Sequence, residues 1–233
     1  MIYHNPKRLR SWRVFYKSFI SQQDLVFDVG AHVGTRARAM RKAGAKVIAL
    51  EPQAPFTRFL KLTLPSDITL IDAAVGGTET QAEMSVSSKH PTVSSLHTDF
   101  VSDAATAPGF EHVRWDSKQL VRVVTLDGLI RDYGIPSYIK IDVEGFELEV
   151  LSGLSQPVPM LSVEYLPGFI HLTHKVLDRL DQLGEYRFNP VVGEKASFLW
   201  PEWRDGEAVK NWLETLPKDS SSGDLFAKLA ITD

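Results

Sequence analysis

The sequence predicts an α/β fold built on a mostly parallel, doubly wound sheet. Short apolar segments alternate with segments of helical periodicity, which is typical of successive βαβ units. A glycine-containing turn joins the first predicted strand to a helix, and carboxylates follow several of the strands. Ligands of such sheets bind at the carboxyl ends of the strands, near the switch in strand order. These observations predict a ligand site at that edge.

The composition limits the class of protein. A chain of 233 residues with 43% hydrophobic residues can form one large domain, and a net charge of −3 argues against broad nucleic-acid binding. The absence of cysteine excludes disulfides, thiolate zinc sites and cysteine nucleophiles, and it fits a reducing compartment. No apolar run approaches the ~20 residues of a membrane span, and the N-terminus lacks the apolar segment of a signal peptide. We expect a cytoplasmic protein.

Residues 1–23 predict an amphipathic helix with a basic outer face. Trp12, Tyr16 and Phe19 recur at helical spacing, and every charged side chain in the segment is basic. A membrane-surface or nucleic-acid contact is one interpretation. We favour a leading helix packed on the core, with residues 24–233 forming a single domain.

The remaining elements follow from periodicity and from the positions of glycine and proline. Residues 88–118 form a long irregular stretch, which we interpret as a substrate lid or a mobile segment. Strands are predicted at 25–29, 46–50, 68–75, 80–87, 119–124, from 138, and at 160–165, 186–192, 196–200 and 224–230, the segments 186–192 and 196–200 forming an antiparallel pair. Helices are predicted at 35–43, 55–64, after 125–127, and at 146–151, 168–183 and 207–216.

The turn after the first strand reads Asp28-Val29-Gly30-Ala31-His32-Val33-Gly34. The dinucleotide fingerprint would need glycines at positions 32 and 35, where the chain has His32 and Thr35. The observed spacing favours a ligand without a pyrophosphate but with a charged amino-acid tail, such as S-adenosylmethionine. Asp28 can face the ammonium of that tail, and the open N–H groups of the next turn can face its carboxylate. Within this turn, the predicted cofactor-binding residues are Asp28, Gly30, Ala31, His32 and Gly34.

Two further carboxylates follow the next strands. Glu51 ends the second strand, where a carboxylate can accept hydrogen bonds from ribose hydroxyls. Asp72 falls near the end of the third strand and is predicted to bind the cofactor as well. For the turn after the first strand, the alternative to a cofactor site is an ordinary α/β turn whose glycines serve packing only.

A second cluster reads Tyr138-Ile139-Lys140-Ile141-Asp142-Val143-Glu144-Gly145. Lys140 lies inside an apolar strand, where an unpaired ammonium is costly, so it needs a partner or a position near a site. Asp142 and Glu144 would share a face of a continuous strand, although a turn after Val143 could redirect Glu144. The alternative is a salt-bridged strand end followed by acidic residues at a helix start.

The chain resembles the FkbM-type methyltransferases, a family within the seven-stranded S-adenosylmethionine-dependent enzymes. The resemblance implies a seven-stranded sheet with an antiparallel last strand, and O-methylation of a hydroxyl on a sugar or a natural product. The family usually has Asn where this chain has His32. The segments that carry the resemblance are 27–34, 50–52, 72–76, 125–127, 140–147, 150–153 and 222–227.

Methyl transfer to a hydroxyl needs a base that takes its proton. Asp142 is the first candidate, and Glu144, Glu164 and His174 are alternates. Lys140 would hold one carboxylate ionised, so the predicted catalytic residues are Asp142, Glu144 and Lys140. Asp142 is also predicted to bind the cofactor. A divalent cation bridged by Asp142, Glu144 and Glu164 would do the same work, but no metal site is favoured.

Three other functions stay open at this point. The first is a nicotinamide-dependent oxidoreductase, against which the missing glycine fingerprint counts. The second is a nucleoside-binding module without chemistry, and the third is an RNA or protein methyltransferase. The acidic composition makes a nucleic-acid partner less favoured than a small hydroxylated acceptor. The sequence leaves the acceptor and a homo-oligomeric state open.

Overall fold

The computed structural model describes residues 6–90, 94–97, 101 and 112–230. Seven strands form the main sheet in the order β3-β2-β1-β7-β8-β10-β9, with β10 antiparallel to both of its neighbours and parallel pairing elsewhere. The predicted fold class is therefore confirmed. The strands are β1 (Leu25–Val29), β2 (Lys46–Leu50), β3 (Thr69–Ile71), β4 (Ala74–Val75), β5 (Thr80–Val86), β6 (Ser117–Val124), β7 (Tyr138–Ile141), β8 (Met160–Tyr165), β9 (Tyr186–Val192) and β10 (Gly223–Leu229).

Helices cover both faces of the sheet because its strands are apolar on both sides. Phe27 and Ile139 face one core, whereas Val26 and Tyr138 face the other. The first core also holds residues of α4, α5, α6 and α7, and the second holds residues of α1, α2 and α3. The helices are α1 (Pro6–Tyr16), α2 (Thr35–Ala43), α3 (Ala54–Thr63), α4 (Leu126–Tyr133), α5 (Glu147–Ser152), α6 (Ile170–Leu183) and α7 (Gly206–Glu214).

Helix α1 lies on the second core. Trp12, Phe15 and Tyr16 are buried there, and the ring of Phe15 meets that of Phe226 edge-on at 5.4 Å. The basic residues of the helix lie mostly on its exposed side. None of the described helices is long and apolar enough to cross a membrane.

The predicted third strand, 68–75, is wrong as a single element. The chain turns at Asp72, where the amide of Ala73 donates to the carbonyl of Ile71 at 3.0 Å. Strand β3 therefore pairs with β2, while β4 joins a separate three-stranded sheet in the order β4-β6-β5. Periodicity showed an extended segment but not the change of sheet within it.

The predicted strand at 196–200 is also wrong. The segment follows β9 through a hydrogen bond from the amide of Leu199 to the carbonyl of Pro190 at 2.8 Å, and through the side chain of Asn189, which bonds Trp200. Because Pro190 has no N–H to donate, a regular ladder cannot form at this position. Within the predicted lid, residues 91–93, 98–100 and 102–111 lie outside the described residues, as do residues 1–5 of the predicted first helix.

Candidate functional site

The glycine turn after β1 is held against the end of β7. Gly30 has φ +79°, and a Cβ atom there would lie 1.9 Å from the carbonyl oxygen of Asp142. The amides of Gly30 and Ala31 donate to the carbonyl of Leu50 at 3.0 and 2.9 Å. Only glycine fits this position, since it is both crowded and left-handed. The turn thereby connects the carboxyl ends of three neighbouring strands.

His32 follows in a left-handed conformation, with φ 49°. Asn, Asp and His are the non-glycine residues enriched in this region, which explains why His can stand where the resembling family usually has Asn. The His32 ring meets Phe56 edge-on at 4.1 Å, and burial lowers the pKa of its imidazole to about 4. The side chain is therefore a neutral wall of the site near pH 7.

Glu51 is buried at the end of β2 and is held by backbone amides. Its Oε2 accepts from His32 at 2.7 Å, and its Oε1 accepts from Gln53 at 2.8 Å. Burial raises the pKa of Glu51 to about 7 in spite of these two hydrogen bonds. The carboxyl group is therefore fixed in orientation, and each oxygen keeps a lone pair for a ligand.

A first cavity lies between the β1 turn, the end of β2 and the second cluster. We call it the nucleoside cavity. Of the predicted cofactor residues, Gly30, His32, Glu51 and Asp142 line it. The predicted catalytic residue Glu144 lines it too. Sequence reasoning missed its apolar and serine walls, which come from elements distant in sequence: Ala73, Met84, Ser94, Ser95, Leu96 and Phe146.

Asp28, Ala31, Gly34 and Asp72 do not line this cavity. Gly34 has φ +74°, and a Cβ atom there would lie 2.9 Å from Leu60, so it allows α2 to pack on α3. Asp72 is half exposed and binds Lys61 at 3.0 Å. Their roles at the cofactor stay predictions that no contact in the structure supports.

Asp28 is fully buried beneath the site, opposite Lys140 in the β1–β7 register. Neither carboxylate oxygen has a full hydrogen-bond partner among the described residues. Burial raises the pKa of Asp28 to about 6, although Lys140 and the amide of Ala37 act in the opposite direction. Its carboxylate could take an ammonium or a bridging water molecule.

Lys140 and Asp142 form a buried ion pair at the end of β7. The Lys140 Nζ lies 2.7 Å from Asp142 Oδ2, and the lysine side chain is 3% exposed against 36% for the aspartate. Burial alone would lower the pKa of Lys140, but Asp142 and Asp28 raise it overall. Burial alone would raise the pKa of Asp142, but Lys140 lowers it overall. The pair is therefore ionised. Asp142 is the kind of partner that the sequence predicted Lys140 to need.

Glu144 adopts a left-handed conformation with φ 55°. The chain therefore turns here, and the side chain of Glu144 takes a different direction from the one it would have in a continuous strand. Its carbonyl oxygen accepts from Ser95 Oγ at 2.8 Å. Burial and the nearby Asp142 raise the pKa values of Glu144 and Glu164 well above their usual range. Carboxylate oxygens of Asp142, Glu144 and Glu164 lie within 4.8 Å of one another, a grouping that could hold a metal ion.

A second cavity of about 390 Å³ lies on the other side of Asp142, and we call it the acceptor cavity. Asp142 lines both cavities, whereas the alternate base His174 lines neither and lies 3.8 Å from Glu214. Part of the wall of the acceptor cavity was not predicted from the sequence. One indication was available, because Asp224 is a charged residue inside the apolar strand β10, where a charge needs a partner. The other residues that line it are Arg36, Glu164, Gly193, Glu194, Ser221, Ser222, Gly223 and Asp224.

Comparison with known proteins places the chain in a family. A family model described as the methyltransferase FkbM domain matches residues 28–214. The hexuronic acid methyltransferase AglP of Haloferax volcanii is 30% identical over 152 residues, covering 64% of this chain and 57% of that protein. This chain thus spans less than two thirds of that relative's length.

Two solved structures are similar in fold at low sequence identity. The precorrin-6y C5,15-methyltransferase of Geobacter metallireducens has a TM-score of 0.48 and 13% identity over 94% of this chain and 87% of that chain. The magnesium protoporphyrin IX methyltransferase of Synechocystis has a TM-score of 0.47 and 12% identity over 96% and 79% of the two chains. Because the family model covers more than half of the sequence, the chain belongs to the FkbM methyltransferase family.

Proposed function

We propose that this protein is an S-adenosylmethionine-dependent methyltransferase that methylates a hydroxyl group of a sugar or another small molecule. The observation that carries the proposal is the position of Asp142, which lines both the nucleoside cavity and the acceptor cavity. A group transferred between ligands in these two cavities would pass beside its carboxylate. A methyltransferase needs this arrangement of donor, acceptor and base.

The residues of the nucleoside cavity fit the cofactor. Glu51 presents fixed carboxylate lone pairs suited to ribose hydroxyls, and Leu96 and Phe146 supply an apolar wall suited to adenine. Asp28 does not line the cavity, but its carboxylate lies buried beneath the site without a full partner among the described residues, so a water molecule could bridge it to the ammonium of the amino-acid tail. When bound, S-adenosylmethionine supplies an electrophilic methyl group.

Asp142 is suited to take the proton of the acceptor hydroxyl. Lys140 binds Oδ2 and keeps the carboxylate ionised, which leaves Oδ1 to accept a proton. Holding the hydroxyl between Asp142 and the methyl group supplies orientation, which in ideal systems is worth up to about 7–11 kcal/mol of the barrier. Lys140 acts as a positioning residue, because it reaches the acceptor only through Asp142.

The sugar acceptor is supported by the hexuronic acid methyltransferase among the relatives. An RNA acceptor is less favoured, since the acceptor cavity is lined by carboxylates that would repel phosphates. A nicotinamide dinucleotide is disfavoured because His32 and Thr35 replace glycines of its fingerprint.

Calorimetry with S-adenosylhomocysteine and with NADH tests the cofactor. We expect saturable binding of S-adenosylhomocysteine alone, and at least about tenfold weaker binding in the Glu51→Gln variant, because an amide replaces one acceptor oxygen. The Glu185→Gln variant, changed at a side chain that is 64% exposed, should bind normally. Binding of NADH, or no binding of S-adenosylhomocysteine, would contradict the proposal.

Radiolabelled S-adenosylmethionine tests the acceptor class. Small hydroxylated compounds, bulk RNA and a protein extract are offered in parallel, and transferred label is counted in each. We expect label only in the small compounds. Label in RNA or protein instead would replace the sugar proposal with one of the alternatives.

A further inference from the structure

We propose, on the basis of the proposed methyl transfer, that the acceptor cavity binds a hydroxylated compound carrying a protonated amino group, such as an amino sugar. The same cavity would disfavour an acceptor with a carboxylate. A preference for such an acceptor would separate this chain from its hexuronic acid methyltransferase relative.

Negative groups outnumber positive ones in the wall of the cavity. Among the described residues that line it, four carry carboxyl groups, and Arg36 is the single cation. Lys140 does not line it and is already paired with Asp142. The wall therefore attracts a cation more readily than an anion. The four acidic residues are Asp142, Glu164, Glu194 and Asp224.

The positive charge of Arg36 is already used. Its Nη2 lies 3.2 Å from Asp224 Oδ2 and 3.4 Å from Glu194 Oε2. Its guanidinium stacks on the ring of Trp12, with Cζ 3.1 Å from the ring centroid, and Trp12 Nε1 donates to Glu194 at 3.2 Å. Arg36 is thus held on three sides, and its charge is offset by Asp224 and Glu194. Its Nη1 has no partner among the described residues and can donate to a hydroxyl oxygen.

Glu164 is the carboxyl group that lacks a cation. It lies opposite Asp224 in the β8–β10 register, so two acidic side chains face each other across neighbouring strands. Its Oε2 is buried and has no hydrogen-bond partner among the described residues. Burial and Asp142 raise its pKa well above the usual range, so its charged form lacks a stabilising partner.

A protonated amine would give the unpartnered Oε2 of Glu164 a charge-assisted hydrogen bond. The Glu164 carboxyl group lies close to that of Asp142, within the 4.8 Å grouping. An amino group at Glu164 can therefore leave a hydroxyl of the same sugar beside Asp142. A uronate carboxylate at this place would instead meet two acidic side chains, an arrangement that costs affinity.

Three matched sugars test the inference: glucosamine, N-acetylglucosamine and glucuronic acid. They differ mainly in carrying an ammonium, a neutral amide or a carboxylate. Transfer of label from S-adenosylmethionine gives kcat/KM for each, and NMR titration of the protein saturated with S-adenosylhomocysteine gives binding without turnover. We expect glucosamine to be preferred by at least about tenfold over N-acetylglucosamine, and glucuronic acid to be the poorest.

The Glu164→Gln variant should lose this preference, whereas the exposed Glu185→Gln variant should keep it. If Glu164→Gln fails to fold, Glu194→Gln serves as the second variant, since its side chain is 47% exposed and its loss should reduce the preference in part. A preference for glucuronic acid, an unchanged preference in both cavity variants, or no binding of glucosamine to protein that holds S-adenosylhomocysteine would each overturn the inference. Failure to bind S-adenosylhomocysteine would instead overturn the proposed function on which the inference rests.

Discussion

The ammonium of Lys140 lies 2.7 Å from the carboxylate of Asp142, and Asp28 lies opposite the same lysine on the neighbouring strand. One buried cation thus faces two carboxyl groups, and these differ in pKa. Asp142 has a lowered pKa, whereas burial raises the pKa of Asp28 to about 6. The pairing explains why a lysine occupies an otherwise apolar strand, and it makes Asp142 the more acidic of the two carboxyl groups.

Asp142→Asn should abolish turnover while cofactor binding persists. The amide cannot take the hydroxyl proton, and loss of a general base lowers kcat by about 10²- to 10⁴-fold. Label transfer measures the rate, and calorimetry with S-adenosylhomocysteine measures binding. The Asp132→Asn variant, changed at a side chain that is 55% exposed, is the control. Full activity in Asp142→Asn would remove this residue from the mechanism.

Lys140→Met should shift the acid limb of the kcat profile to higher pH. Lys140 lowers the pKa of Asp142, so without it the carboxylate stays protonated up to a higher pH. A merely structural role would reduce activity at every pH without moving the limb. Rates between pH 5 and 9 measure the shift, and Lys140→Arg should restore part of it. An unmoved limb in Lys140→Met would contradict the assigned role.

Asp28→Asn should stabilise the ligand-free protein at pH 8. A buried carboxyl group with a raised pKa keeps its proton in the folded state, so its contribution to stability is lost as pH rises from about 4 to about 6. The shift in the pKa of Asp28 sets an upper limit of about 3 kcal/mol on the increase in the free energy of unfolding that the Asn side chain can give. Denaturant unfolding at pH 8 and near pH 4 measures it, and the difference from wild type should shrink at the lower pH. Equal stabilities at pH 8 would show that Asp28 is not charged in the folded state.

Gly30→Ala should destabilise the protein and abolish cofactor binding. Its Cβ would lie 1.9 Å from the Asp142 carbonyl oxygen at φ +79°, and such strain costs about 1–3 kcal/mol or more. At Gly206 the nearest atom to a new Cβ lies 3.6 Å away, so Gly206→Ala is a matched control with little effect. Thermal unfolding and calorimetry compare the two. A Gly30→Ala protein as stable as Gly206→Ala would show that the turn can move away from Asp142.

Chelation should leave methyl transfer unchanged. Lys140 balances the charge of Asp142, and burial together with Asp142 raises the pKa values of Glu144 and Glu164, which favours proton uptake by those two groups. The three carboxyl groups therefore do not require a metal, in spite of their proximity. Label transfer is measured after dialysis against EDTA and again after addition of Mg²⁺ or Mn²⁺. A loss on dialysis that either ion restores would contradict this expectation.

The local elements were predictable where one pattern dominates. The predicted bounds 25–29, 35–43 and 46–50 coincide with those of β1, α2 and β2, because an apolar run ends in a glycine turn and a helix ends at Gly44. The Lys140–Asp142 pair was predictable too, since a charge in an apolar strand needs a partner.

Long-range geometry was not predictable from the same patterns. The ion pair between Arg36 and Asp224 joins residues 188 positions apart, and no periodicity connects them. Asp72 shows that a residue at a predicted strand end need not reach the site. It falls after a predicted strand end, yet the turn into β4 directs its carboxylate towards Lys61 and solvent. Sequence position identifies the edge of the sheet but not which side chains reach a common cavity.

Trp12 holds Arg36 in the acceptor cavity from a helix that precedes the segment matched by the family model, and Asp224 holds it from a strand that follows that segment. The glycine turn after β1 and the Lys140–Asp142 pair lie within that segment. Changes in the first helix and the last strand could therefore redirect acceptor choice while the chemistry stays intact, so the two ends of the chain are where engineering of new methylated products should begin.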